Sequence, residues 1–241
     1  MLIKLVTPYK QIVNNLVFSI QGARFAKKSL EKSDSGTLDN DYDYYLGEKD
    51  LELAINLART EVASGHDKFL QQIHFIVDIE MSRFMWQEFD TYRVGISKQS
   101  ESTMHTLTKD KINILNFDIS KYNDKENSII IKHLNNFLKI HNKLKKDLNA
   151  GFIDDNEFRN ILKAILPESF SQKRRVSMNY ANVKLINSQR KNHRNVEWKF
   201  MLDFLRLSLP HSELIFYESD KDWKLEYLEY MELEKVQKYL N

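Results

Sequence analysis

"IHFIVDIEMSRFMWQEFDTYRVGISKQSESTMH", residues 73–105, changes character twice within one run. Its opening "HFIVDIE" alternates apolar and polar side chains, with Phe75, Val77 and Ile79 at every second position, the period of a half-buried strand. The aromatic stretch "SRFMWQEF" follows. From Tyr92 to His105 the chain turns polar, with two cations, five hydroxyl side chains, an amide and a carboxylate around a single glycine. Most other periodic segments repeat at three and four residues. A strand set in a helix-rich chain predicts an α+β fold.

Outward from this stretch, "LIKLV" reads as a short strand. "YKQIVNNLVFSIQGARFAKK" reads as a helix that carries Ile12, Leu16, Phe18 and Ile20 and leads to Gly22. Ser29 to Gly47 is polar and acidic, a surface loop or insertion. "EKDLELAINLARTEVASG" spaces Leu51, Ile55, Ala58 and Val62 for a helix that stops at Gly65. "ENSIIIKHLNNFLKIHNKLKKDLNAG" predicts a long amphipathic helix through Ile130, Leu134, Phe137, Leu138 and Leu148, stopped at Gly151. "DDNEFRNILKAILP" predicts another, capped by an Asp and ended before Pro167. "NVEWKFMLDFLRLSLP" and "WKLEYLEYMELEKVQKYL" supply two more.

With 241 residues and 42% hydrophobic side chains, the chain can bury one large core or two small ones. Its 36 basic and 34 acidic residues are interspersed, so the net charge of +2 implies no basic face, and no nucleic-acid partner is expected. No run approaches the roughly 20 apolar residues of a membrane span, and "MLIKLVTPYKQ" lacks a signal-peptide core, so a cytoplasmic protein is expected. The absence of cysteine removes disulfides, thiolate nucleophiles and Cys-ligated zinc.

Generic marks of phosphate-binding loops, dinucleotide folds, zinc proteases and nucleophile elbows are missing. His66 and His74 lie eight apart with Asp67 nearby, but His74 belongs to the strand pattern, so no metal site is expected. Three stretches share another property: Ser64 to Gln72, Ser82 to His105 and Gln172 to Trp198 are rich in Arg, Asn, Gln and Ser and sit between apolar segments. Converging, they would suit a phosphorylated planar ligand, with cations on phosphate oxygens and amides on a ring edge. Taken singly, each also reads as an ordinary polar loop.

In this order the stretches resemble the flavin-dependent thymidylate synthases, the ThyX or thymidylate synthase-complementing family. "GARFAKKS" is similar to the family's A-A-R-x-S, with Ala26 where serine is usual. "GHDKF" resembles G-H-E-T-P-F, and "SRFMWQ" resembles S-R-A-x-x-H-Q. The family signature R-H-R-x-x-S is degenerate: an ungapped register sets Asp90, Thr91 and Tyr92 under R-H-R, and a slide by one sets Arg93 under the second arginine. "DTYRVGISKQSESTMH", "LPESFSQKRRVSMNYANV" and "RKNHRNVEWKFMLDFLRLSLPHSELI" are similar instead to a divergent branch of Gram-positive bacteria and their phages. The R-x-x-H-x-x-x-E-W core from Arg190 is the most specific element.

The resemblance implies a single domain over residues 1–241, with a polar insertion near 29–47, an unassigned middle at 110–150, and a central, mostly antiparallel sheet flanked by several long helices. It implies FAD as cofactor, dUMP as substrate, methylenetetrahydrofolate as one-carbon donor and NADPH as reductant, at sites between subunits of a homotetramer. No catalytic protein nucleophile is implied, in keeping with a chain that lacks cysteine. On the dUMP side it implies Gln87, the loop residues Ser100, Glu101 and Ser102, Arg190, and Arg174 with Lys173 as further cations. On the FAD side it implies Arg93, Ser97, Lys98, Asn179, His193, His66 and Arg83. The arginine expected two residues after the loop serine is Ser102 or Thr103 here, so another cation must serve the phosphate. Two alternatives stay open: a protein of this fold that binds flavin or nucleotide with altered or lost synthesis, and an unrelated helical binding protein.

Overall fold

The computed structural model describes residues 1–38, 43–61, 65–103, 107, 112–119 and 123–217. The chain forms two compact units, one from Met1–Leu2, Asp78–Arg93 and Lys98–Val176, the other from Ile3–Val77, Val94–Ser97 and Ser177–Asn241. Four strands, β1 (Leu2–Leu5), β4 (His74–Ser82), β5 (Ser97–Ser100) and β6 (Ser171–Asn179), make a mostly antiparallel sheet in the order β1-β4-β6-β5. The short strands β2 (Gly36–Thr37) and β3 (Tyr44–Tyr45) pair antiparallel within the polar segment 29–47. With seven helices beside these strands among the described residues, the α+β class is the one observed.

In the first unit, strand β4 follows the expected alternation, with Ile79 and Met81 buried and Asp78 and Glu80 half-buried. Helix α3 (Arg83–Phe89) starts where the Ser82 hydroxyl accepts the Met85 N–H at 3.2 Å. Helix α4 (Asp124–Asn149) opens with a reciprocal cap between Asn123 and Glu126 and stops at Gly151, whose φ of +74° few other residues tolerate. Helix α5 (Asp155–Ile165) opens on Asp154, whose carboxylate accepts the Asn156 and Glu157 N–H groups at 2.8 Å. Leu134 and Phe137 of α4 pack with Phe158 and Leu162 of α5 and with Phe117 and Phe170 in one apolar cluster.

In the second unit, helices α1 (Tyr9–Ala26), α2 (Glu48–Ala58), α6 (Tyr180–Arg190) and α7 (Val196–Ser208) supply the core. Ile12, Leu16 and Ile20 are fully buried, at four-residue spacing on one helix face. Phe18, expected with them, sits two residues from Leu16, about 200° around the helix; it is half exposed and meets Tyr44 edge-on at 4.6 Å. The helix does not stop at Gly22. It continues to Ala26, because Arg24 finds a buried carboxylate there, and Lys28 at φ +51° then turns the chain. Helix α2 ends at Ala58, short of the expected Gly65, where the Thr60 hydroxyl donates to the Leu57 carbonyl at 2.7 Å. Val62, much of the 104–122 segment and the helix expected over 223–240 lie outside the described residues. No helix among the described residues is long and apolar enough to cross a membrane.

Candidate functional site

The polar stretches that sequence reading treats as loops are largely built into regular structure. "SQKRRVSMN" is strand β6, although only Val176, Met178 and Asn179 along it are buried. Across β4 it forms charged rungs: Arg175 donates two bonds to Asp78 at 2.7 and 2.8 Å, and Lys173 lies 3.5 Å from Glu80. Lys173 is thus a rung of the sheet.

In the first unit a cation cluster forms around α3. Its Trp86 and Phe89 are fully buried; the Arg174 guanidinium lies 4.3 Å from the Trp86 ring centre, and the Lys98 ammonium lies 5.0 Å from that of Phe89. Both cations converge on Asp90. Lys98 Nζ donates to Oδ1 at 2.8 Å, and Arg174 Nη1 donates to both oxygens at 3.0 and 2.9 Å. Burial alone would raise the Asp90 carboxyl, but hydrogen bonds from Lys98 and Arg174 and their charges outweigh it and hold the group below its ordinary value. The other edge of Arg174 donates to Gln172 Oε1 from Nε and Nη2 at 3.2 and 3.0 Å.

The remaining expected residues of this unit fall into three places. Glu101 extends the pairing with β6: its N–H donates to the Lys173 carbonyl and its carboxylate accepts the Lys173 N–H, both at 3.0 Å. Gln87 and Arg83 share Glu168, at 3.0 and 3.3 Å. Arg93 is exposed, with Nε donating to the Asp90 carbonyl at 3.3 Å; Ser100 and Ser102 are exposed.

In the second unit, Asn179 is a buried helix cap. Its Oδ1 accepts the Asn182 N–H at 3.0 Å, and Asn182 Oδ1 accepts the Asn179 N–H at 3.1 Å. Asn182 also donates Nδ2 to the Val94 carbonyl at 2.9 Å, holding the segment beside exposed Ser97. Gly95 there has φ +72°, and a Cβ on it would come within 3.3 Å of that amide.

The R-x-x-H-x-x-x-E-W motif folds into a corner between α6 and α7. The Arg190 guanidinium lies 5.0 Å from the ring centre of fully buried Trp198, and the His193 ring meets the same indole edge-on at 6.5 Å. The His193 N–H donates to the Arg190 carbonyl at 3.0 Å, and its Nδ1 accepts the Asn195 N–H at 3.2 Å, which leaves Nε2 as the nitrogen that carries a proton in the neutral ring. Both residues thus lie against Trp198.

Two further motif segments are pinned internally. In "GHDKF", His66 is exposed while Asp67 is buried against Lys184 at 2.8 Å, and Lys184 also donates to the Thr60 carbonyl at 3.0 Å. In "GARFAKKS", Arg24 pairs with Asp50, which also accepts the Ser33 hydroxyl at 2.6 Å. Burial acts to raise the Asp50 carboxyl, but the bonds from Ser33, Ser35 and Arg24 prevail and lower it.

The structure therefore joins Lys98 to Arg174, Arg83 to Gln87 and Arg190 to His193, each within one unit. Sequence reading missed Asp90 and Lys184 as partners and Trp86 as a platform. An acidic residue between an aromatic helix and a serine loop is the one signal that marks Asp90.

The family model described as thymidylate synthase complementing protein matches residues 11–201. The fold is similar to that of thymidylate synthase X (ThyX) from Helicobacter pylori with FAD and dUMP, at TM-score 0.63 and 22% identity over 89% of this chain and 97% of that one. A second structure of the flavin-dependent thymidylate synthase ThyX of that organism, complexed with FAD and dUMP, matches at TM-score 0.63 and 22% identity over 89% and 98% of the two chains. At this identity the likeness is one of fold. No curated protein matches the chain. The family match spans all the motif segments from Gly22 to Trp198, and the chain belongs to the thymidylate synthase complementing protein family.

Proposed function

We propose that the chain is a flavin-dependent thymidylate synthase, a cytoplasmic homotetramer that binds FAD and converts dUMP to dTMP with methylenetetrahydrofolate as carbon donor and NADPH as reductant. The observation that carries this reading is the family match over residues 11–201, which contains every candidate residue from His66 to His193. The structures of the same fold that hold FAD and dUMP support it.

The donors present suit the two ligands. Arg190, braced on Trp198, and the hydroxyls of Ser100 and Ser102 suit the phosphate and sugar of dUMP, with Gln87 and Arg174 beside them in role. Glu101, already an acceptor from the Lys173 N–H, would hold the loop or accept a ribose hydroxyl. For FAD, Arg93, Lys98, Arg83, His66 and Ser97 suit the diphosphate, and Asn179 and His193 suit the ring system. Reduced flavin, when bound, supplies the hydride to the pyrimidine. The residues contribute fixed donors: Arg190 and His193 are positioned before any ligand arrives, so polarising the uracil carbonyls costs little reorganisation as charge develops. No protein nucleophile is needed.

A second reading, a protein of this fold that binds ligand without synthesis, is favoured by one observation: an acidic residue, Asp90, sits in the degenerate signature and occupies Lys98 and Arg174. The test is a visible absorbance scan after FAD loading and desalting, repeated with dUMP, followed by rescue of a thymidine-requiring strain. Retained flavin bands that shift with dUMP, together with rescue, are the expected result. Shifted bands without rescue leave the second reading, and no retained flavin overturns the first.

A further inference from the structure

Lys98, Asp90 and Arg174 form a cluster whose two cations are more buried than the anion they share. The side chains of Lys98 and Arg174 are 14% and 16% exposed, against 42% for Asp90. Each cation is oriented by groups other than Asp90. Arg174 lies on Trp86 and donates its Nε and Nη2 edge to Gln172, whose own amide donates to the Glu101 carbonyl at 3.1 Å. Lys98 lies on Phe89 and donates to the Tyr92 carbonyl at 3.3 Å. Without the Asp90 carboxylate, both would still point at one spot. The charge is also unbalanced: among the described residues two cations share a single carboxylate, which leaves one positive charge over, and a phosphate monoester dianion would balance them.

We infer that Asp90 is a displaceable plug in a phosphate site, and that the phosphate of a nucleoside monophosphate takes the place of its carboxylate between Lys98 and Arg174. Resting on the proposed function, this deepens it by naming that phosphate as the one on dUMP, and it moves Lys98 from the FAD diphosphate to the nucleotide. The carboxylate sits at the end of α3 with its outer side in water, so it leaves the cluster by a side-chain rotation into solvent. Asp90 then sets affinity: the ligand must displace a charge the site already holds.

The test is calorimetric titration of the full chain, unaltered and as Asp90→Asn, with dUMP and with deoxyuridine, which lacks the phosphate. Removing the competing charge should tighten dUMP binding about tenfold and leave deoxyuridine unchanged. Equal or weaker dUMP binding by a folded Asp90→Asn chain overturns the inference; if flavin is still retained with dUMP-shifted bands, the proposed function stands. No dUMP binding by either form removes both, whereas binding by the variant alone is the expected effect at its largest. Should the variant not fold, the Asp90 carboxyl carbon is followed by NMR in the unaltered chain. It should move and titrate at higher pH once dUMP is bound, and a resonance that dUMP leaves in place overturns the plug.

Discussion

Asp50→Asn tests whether Arg24 of "GARFAKKS" serves the structure. Asp50 is fully buried and Arg24 is 7% exposed, so the substitution leaves a guanidinium in the interior without its counter-charge. Removing one partner of a buried pair costs about 3–5 kcal/mol. The amide still accepts one hydrogen bond, which places the expected loss near the lower end, about 3 kcal/mol. The pH dependence has a definite sign. The carboxyl titrates below its ordinary value of 3.8 in the folded chain, so its contribution is fully present above that value and is lost as pH falls through the depressed one. Urea unfolding followed by far-ultraviolet circular dichroism should show the full gap between the two chains near neutrality and a shrinking gap below 3.8. A gap under about 1 kcal/mol at neutral pH, the scale of an exposed ion pair, or one that persists undiminished into acid, would refute the reasoning.

Lys184→Met should cost about 3–5 kcal/mol by stranding Asp67, which thermal unfolding reads, and adding Asp67→Leu should restore much of it; a double variant no better than the single would show that the pair is not the cause. Arg190→Ala should weaken dUMP binding about 10- to 100-fold, the effect of losing a charge-assisted bond, while FAD is still retained. Unchanged dUMP affinity would remove Arg190 from the nucleotide site. Gly95→Ala should cost about 1–2 kcal/mol, because φ is +72° and the new methyl would crowd the Asn182 amide, and a neutral urea midpoint would count against that geometry.

Legibility differs sharply between neighbouring parts of the chain. Helix α5 lies where "DDNEFRNILKAILP" places it, because a carboxylate cap and a proline act on residues within one turn of themselves. Strand β4 is equally plain from its alternation. Strand β6 is not, since its run of Gln, Lys and Arg has no buried alternate face until Val176, and its conformation comes from the strands on either side. The continuation of α1 past Gly22 also depends on a tertiary partner, the Asp50 carboxylate, whereas the early stop of α2 is a local event at Thr60, whose hydroxyl donates to a carbonyl three residues back.

The sequence by itself determined the α+β class, the stop of α4 at Gly151, the cap and stop of α5, and the motif order that marks the family, all of which are written in spacings of a few residues. Only the tertiary structure decided what each charge does. Arg24 finds Asp50 26 residues away, Arg174 finds Asp90 84 away and Lys184 finds Asp67 117 away. Coulomb attraction and desolvation act through distance in space, and a balanced chain with 36 basic and 34 acidic residues offers each cation many partners until folding selects one.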